Sequence, residues 1–310
     1  MRIHRRPMSR IEGKYAATIG NFDGVHVGHA HILEKLVSVA KERKLLAAVM
    51  IFEPQPLEYF SADSAPPRIS TLREKLERFR EIGVDAVFVI PFDSEFSSLS
   101  ADGFIDRYLV ELLPVEWLLV GDDFRFGKGR AGDFRVLRER GQEQGFEVEA
   151  TDSITVAGVR VSSSVIREAL KSGDFQKSQE FLGRSYNITA RVVRGNALGR
   201  TFGFPTANLG LKNLSSPLSG IYLVRVVGDE IDERYGLASI GSRPTIELNG
   251  SIKVEIFILD FDGDLYGKKI TVTVLSKLRD EKQFASVDEM ITAMKMDEAN
   301  ARKLIAAGAF

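Results

Sequence analysis

Between residues 15 and 155 the chain alternates continuous apolar runs with stretches of helical spacing, and near residue 183 that alternation stops. YAATIG, LLAAVMIF, DAVFVIPF and VEWLLVG read as strands that are apolar on both faces. Between them, Ile32, Leu33, Leu36, Val37 and Ala40 repeat at helical spacing. STLREKLERFREIG carries an N-cap at Ser70 or Thr71 and a stop at Gly83, and ADGFIDRYLVELL and FRVLRERGQEQG are also helical. FEVEATDSITV reads as the last strand of the series. A strand buried on both faces needs helices above and below it, so this part is expected to be an α/β domain around a doubly wound parallel sheet.

Beyond Gly183 the strands become half-exposed. ITARVV, GIYLVRVV, YGLASIG, KVEIFILD and KKITVTVLSKL alternate with turns, the pattern of an antiparallel β-barrel. A terminal helix follows, with Val287, Met290, Ile291 and Met294 on one face. The boundary falls near residues 183–187 with little linker, giving domains 1–184 and 185–310, and a length of 310 residues suits two domains.

A net charge of −1 provides no sequence-wide basic field to recruit nucleic acid or an acidic membrane. With no cysteine, disulfides, thiolate metal sites and a cysteine nucleophile are excluded, and a reducing compartment is suited. The basic N-terminal stretch is not followed by an apolar run, and no segment reads as a membrane span. The expectation is a cytoplasmic chain with neither membrane nor nucleic acid as partner.

TIGNFDGVHVGHAHIL, residues 18–33, holds three of the chain's four histidines: His26, His29 and His31. The strand ends near Gly20 and the helix begins near Gly28 or His29. The histidines thus stand where a parallel strand meets a helix N-terminus, the ligand-binding edge of an open sheet. Free N–H groups and the helix dipole there favour phosphate. Gly24 and Gly28 allow close backbone approach, and His26 and His29 would add imidazole donors. A metal site and a chance surface cluster are the competing readings. HExxH spacing is absent, and His31 is expected on the helix surface.

Two further stretches carry chemistry in this half. VGDDFRFGKGRAGD, residues 120–133, flanks Arg125 with Phe124 and Phe126 on a glycine-rich loop. It suits a flat ring and its phosphate, or is a polar loop with two buried phenylalanines. In VSSSVIREAL, residues 161–170, Ser163 and Ser164 begin a helix and Arg167 follows one turn later. They offer donors to one phosphate, or are capping serines with a solvated arginine.

The second half has its own loop, RGNALGRTFGFPTAN, residues 194–208, with Gly195, Gly199 and Gly203. Neither GK[ST] nor GxGxxG is present, and a barrel hairpin loop is the plain alternative. Pro205 stiffens the backbone, and Thr206 and Asn208 point the same way on an extended segment. Their hard oxygens suit Mg²⁺. Glu255, in KVEIFILD, is an ordinary strand glutamate or a proton acceptor.

GNFDGVHVGH contains the HxGH signature of nucleotidylyltransferases. With VGDDFRFGKGRAGD and VSSSVIREAL it resembles the adenylyltransferase half of the bacterial bifunctional riboflavin kinase/FAD synthetase family. GxxxGRxxGFPTAN, GSRPTIELNGSIKVEIFILDFDGDLYGKKI and LRDEKQFASVDEM resemble that family's riboflavin kinase half, and the resemblance spans roughly residues 14–306. It implies that His26, His29 and Arg167 serve adenylyl transfer, with Gly20, Phe22, Gly24, Gly28, Ser163 and Ser164 around the ATP phosphates. Asp123, Phe124 and Arg125 are implied flavin contacts. In the second half it implies Glu255 as the catalytic carboxylate and Gly195, Gly199, Gly203, Pro205 and Thr206 around ATP. Thr206 and Asn208 are the implied Mg²⁺ ligands. Arg279 and Phe284 line the flavin edge, or serve capping and packing. The family often has histidine two places after the glutamate, where this chain has Phe257.

The implied reactions are phosphorylation of riboflavin by ATP to FMN, releasing ADP, and adenylylation of FMN by a second ATP to FAD, releasing pyrophosphate. A nucleotidylyltransferase for another acceptor and a flavin-sensing protein without catalysis are the alternatives. FPTAN and Glu255 speak against the first; the presence of His26, His29, Thr206, Asn208 and Glu255 speaks against the second. Self-association is left open.

Overall fold

A computed structural model describes residues 1–152, 154–195, 202–211, 215–242 and 252–308. Packing divides the chain into two compact units, Met1–Pro66 with Ser70–Ser162, and Pro67–Ile69 with Ser163–Phe310.

The first unit is built on a six-stranded sheet of order β1-β4-β3-β2-β5-β6, in which every pairing is parallel. Its strands are β1 (Arg2–Arg5), β2 (Tyr15–Ile19), β3 (Leu46–Glu53), β4 (Ala86–Pro91), β5 (Val115–Gly121) and β6 (Glu147–Thr151). Successive β-strand residues face opposite sides, so a doubly covered sheet needs two cores. Ile19, Met50, Phe88 and Leu118 belong to one; Ala16, Val49, Val87 and Trp117 belong to the other. Edge strand β1 escapes sequence reading because RIHR has no apolar run; there His4 stacks on Phe88 at 4.8 Å.

The helices are α1 (Val27–Glu42), α2 (Pro56–Phe60), α3 (Leu72–Ile82), α4 (Ser94–Ser97), α5 (Ala101–Phe104) and α6 (Phe134–Gln144), α5 continuing into a π-helical stretch at Ile105–Leu112. For α3 the cap is Thr71: its Oγ1 accepts from Glu74 N at 3.1 Å, Glu74 Oε2 accepts from Thr71 N at 2.7 Å, and Gly83 ends the helix at φ 101°. FEVEATDSITV is not one strand. It breaks into β6 and β7 (Thr155–Val156), and β7 pairs with β8 (Val159–Arg160) across a turn in which Ala157 and Gly158 take positive φ.

In the second unit, α7 (Ser163–Ser172) and α8 (Phe175–Leu182) precede a closed antiparallel barrel, α8 ending at left-handed Gly183. Barrel order is β10-β13-β12-β11-β14-β9, formed by β9 (Asn187–Val193), β10 (Thr206–Leu209), β11 (Gly220–Gly228), β12 (Ile231–Ser242), β13 (Ile252–Ile258) and β14 (Lys269–Arg279). Helix α9 (Val287–Ala306) follows. Of the face expected to be apolar, Met290 and Met294 line a cavity while Val287 at the first turn is 50% exposed.

Candidate active sites

β2 lies between β3 and β5, so the order of the sheet reverses at its carboxyl end. The loop leaving that end is the histidine run, placed at the switch point where open sheets bind ligands. His26 is the N-cap of α1, its Nδ1 accepting from His29 N at 3.2 Å. An accepting Nδ1 leaves the proton of neutral His26 on Nε2, where it can donate. The two imidazoles stack at 3.6 Å and 14°. Gly28 permits this, since a Cβ there would stand 3.3 Å from the His26 ring.

His29 is half-buried, and its Nδ1 is buried without a hydrogen-bond partner. Desolvation pushes its pKa well below the ordinary 6.5, and the nearby His26 and Lys75 push the same way. His29 is therefore neutral at physiological pH. His31 is exposed on α1, as expected.

The loop itself is strained. Phe22, Gly24 and Val25 take φ of 47°, 81° and 38°. The ring of Phe22 is buried, meeting Phe79 at 5.6 Å and His29 at 5.0 Å. Gly20 lies beneath it, where a Cβ would come 3.1 Å from that ring. Lys75, only 1% exposed, gave no signal in the sequence because it sits among charged residues of an amphipathic helix.

β5 pairs with β2, so the loop after Gly121 opens at the same end of the sheet. Phe124 and Phe126 stack at 5.7 Å. Phe126 is core, closed in by Gly132, where a Cβ would lie 2.5 Å from its ring. Phe124 is partly buried, Arg125 is exposed with Nη1 donating to Phe124 O, and Asp123 faces Arg160 at 3.4 Å on the surface. Ser163 and Ser164 occupy the first turn of α7, and Arg167 Nε donates to Pro67 O at 2.7 Å. Among the described residues no cluster of three or more His, Asp or Glu is placed to hold a metal ion.

In the barrel, register assembles the second site. Thr206 pairs with Phe257 and Asn208 with Glu255 across β10 and β13, and Ser239 of β12 flanks Glu255 from the other side. Directly paired side chains share a face, so Thr206, Asn208 and Glu255 stand together. Lys253, two places from Glu255 on β13, ion-pairs with it at 2.8 Å. A cavity of about 320 Å³ is bordered by Thr206, Glu255, Lys253, Phe257, Arg279 and Phe284. A second, of about 410 Å³, is bordered by Pro205, Thr206, Asp262, Asp264 and Tyr266. Thr206 belongs to both walls.

Gly195 packs so closely on Asn208 that a Cβ would fall 2.4 Å from the amide nitrogen. Gly203 has φ 83°, a conformation only glycine adopts freely. Gly199 lies outside the described residues. Phe257 meets Phe204 edge-on at 5.1 Å, filling the wall with an aromatic pair. Arg279 already makes a bidentate contact with buried Asp297 on α9, Nη2 to Oδ2 at 2.8 Å, and lies over Phe284 at 5.7 Å.

Residues 8–165 match the family model described as FAD synthetase, and residues 182–305 match the one described as riboflavin kinase. The bifunctional riboflavin kinase/FMN adenylyltransferase of Escherichia coli K12 is 45% identical over 301 residues, covering 97% of this chain and 96% of the relative. The chain belongs to this bifunctional family. The Pseudomonas fluorescens member is 46% identical, covering 94% of each chain. A crystal structure named as that of a macrolide-efflux protein from Streptococcus pneumoniae has a TM-score of 0.77 and 27% identity, covering 97% of this chain and 99% of the other. That name belongs to the neighbour; among the described residues here no helix is long and apolar enough to cross a membrane.

Proposed function

We propose that the two halves act in series on a flavin. The barrel half phosphorylates riboflavin to FMN with ATP, and the parallel-sheet half adenylylates FMN to FAD with a second ATP. The observation that carries this reading is the full-length pairing of two motif sets on two unrelated architectures: a histidine run at a sheet switch point, and Glu255 paired with Asn208 in a closed barrel. We propose a functional boundary at 184/185, close to the start of the riboflavin kinase match at residue 182, although packing groups α7 and α8 with the barrel.

In the kinase half, the ribityl hydroxyl needs a proton acceptor when its oxygen attacks the γ-phosphorus of ATP. Glu255 is assigned that role, with Lys253 orienting its carboxylate. The aromatic cavity takes the flavin, with Arg279 and Phe284 at its edge, and the cavity beside Pro205 takes ATP. Thr206, on both walls, marks where the two substrates meet. Thr206 and Asn208 present a hydroxyl and an amide oxygen on one face, a donor set that fits Mg²⁺ shared with phosphates and water. Bound there, Mg²⁺ supplies neutralisation of phosphate charge.

In the adenylyltransferase half no base is required. The FMN phosphate, with a second pKa of about 6, is ionised at pH 7. Its oxygen attacks the α-phosphorus in line, and pyrophosphate departs. His26 and His29 donate to the phosphate oxygens, with the first N–H groups of α1. Gly20, Phe22, Gly24 and Gly28 shape this grip through the backbone. Ser163, Ser164 and Arg167 are assigned phosphate contacts, and Asp123, Phe124 and Arg125 flavin contacts. Purified chain incubated with riboflavin, ATP and Mg²⁺ should yield FMN and then FAD on chromatography. Production of neither flavin would overturn the reading.

A further inference from the structure

α3 holds the histidine loop at three points. Ser70, just before the helix, donates from N to Asp23 Oδ1 at 3.1 Å, and its Oγ accepts from Gly24 N at 2.9 Å. Lys75 Nζ donates to Asn21 O at 2.7 Å. One turn on, Phe79 meets the Phe22 ring edge-on at 5.6 Å. Asp23, Ser70 and Lys75 are 2%, 6% and 1% exposed.

A lysine is rarely buried so completely, and its burial has a large desolvation cost. Such a cost persists where the group holds something in place. What these contacts hold is backbone that does not relax on its own accord into this form: Phe22 and Val25 at positive φ, each unfavourable for a side chain with a Cβ. Immediately after this turn come the N-cap His26 and the first turn of α1. Loosening the turn therefore re-aims the imidazole pair and the helix N–H groups together.

We propose that Lys75 and Ser70 are positioning residues for adenylyl transfer, locking the strained 21–25 turn in the form that aims His26, His29 and the start of α1 at the triphosphate of ATP. This rests on the assignment of the histidine loop to ATP. The Lys75 charge has a second consequence, since together with burial and His26 it favours neutral His29.

The test uses the full chain as Lys75→Met, which keeps length and packing but removes the donor, and as Ser70→Ala. FAD formation from FMN is followed against ATP concentration, and FMN formation from riboflavin is measured on the same preparation. For Lys75→Met the KM for ATP in FAD formation should rise about fivefold or more and kcat should fall on the order of tenfold. Ser70→Ala should shift both in the same direction by about threefold. Kinase rates should stay at the wild-type level. A merely structural role lowers the amount of folded unit, which reduces apparent kcat and leaves KM where it was. An unchanged KM in both variants overturns the proposal, and Ser70→Ala decides alone if Lys75→Met does not fold. The His26→Ala/His29→Ala double variant separates the two failures. If it still makes FAD, the ATP assignment of the loop is wrong; if it loses FAD while Lys75→Met and Ser70→Ala behave as wild type, only the clamp is wrong.

Discussion

Gly195→Ala tests the kinase site through a contact that only the folded barrel creates. The added Cβ would stand 2.4 Å from Asn208 Nδ2, 2.5 Å from Cγ and 2.7 Å from Oδ1. Comfortable contact needs about 3.5 Å, so the amide must retreat by about 1 Å. Asn208 is held on both sides, by Glu255 in β13 and Val193 in β9, so the movement falls on its side chain. Forcing a side chain off its rotamer costs about 0.5–1.5 kcal/mol, too little to unfold the barrel. A positioning oxygen displaced by about 1 Å, by contrast, costs about a hundredfold in rate, or about 2.7 kcal/mol of barrier. The assay is the initial rate of FMN formation from riboflavin, ATP and Mg²⁺. We expect kcat for Gly195→Ala to fall by about 30- to 100-fold while FAD formation from supplied FMN is unchanged. Asn208→Ala should show a similar fall, and the double variant should be no worse than Asn208→Ala, because the clash has lost its partner. Kinase activity within about threefold of wild type in Gly195→Ala, or fully additive losses in the double variant, would refute the reasoning.

Glu255→Gln should abolish FMN formation while FAD formation from FMN continues; an active kinase would remove Glu255 from the role of base. His26→Ala with His29→Ala should do the reverse, and a folded double variant that also loses its kinase would contradict the division of labour. Metal-stripped protein resupplied with magnesium alone should make FAD from FMN, and a requirement for zinc would show that the histidines ligate metal. Because folding depresses the His29 pKa, the unfolded chain takes up more protons below about 6.5. The stability this residue contributes is complete above that pH and is lost as pH falls through the folded value. Denaturant midpoints followed by fluorescence of Trp117, the sole tryptophan and fully buried, should fall from pH 6.5 to 5 with a smaller slope in His29→Asn. Equal slopes would place the proton elsewhere.

Which parts of this molecule were legible in the sequence follows from the kind of force that shapes each. Strands β2 to β5 are written as apolar runs because burial on both faces demands apolar residues at nearly every position, Thr18 of β2 and Glu116 of β5 being exceptions. β1 carries no such run, since an edge strand with the sequence RIHR is held by backbone pairing to β4 and by one stacked histidine. β10 is only four residues long and reads as an extended motif rather than a strand. The histidine pair was legible from scarcity and from the strand-to-helix context. Lys75 and Lys253 were not, because a lysine on a charged helix or an alternating strand looks solvated until tertiary packing buries it or pairs it. The proximity of Gly195 to Asn208 was likewise invisible, since it exists only when β9 and β10 pair.

The two sites differ in residue type for a chemical reason. A phosphate monoester arrives ionised, so on the proposed assignment the adenylyltransferase loop needs donors rather than a base, and His26 and His29 would supply them with the first N–H groups of α1. Its one buried carboxylate, Asp23, accepts from Ser70 N within the turn and is occupied with structure. An alcohol arrives protonated, so the kinase barrel needs a carboxylate with an open side, and Glu255 is partly exposed at the cavity wall. Exchanging the two inventories would fail in both directions. A carboxylate among the triphosphate oxygens would repel the substrate, and an imidazole in place of Glu255 would stand beside the Lys253 ammonium, which lowers its proton affinity. On this assignment the choice of side chains at each proposed site follows the protonation state of the nucleophile that arrives there.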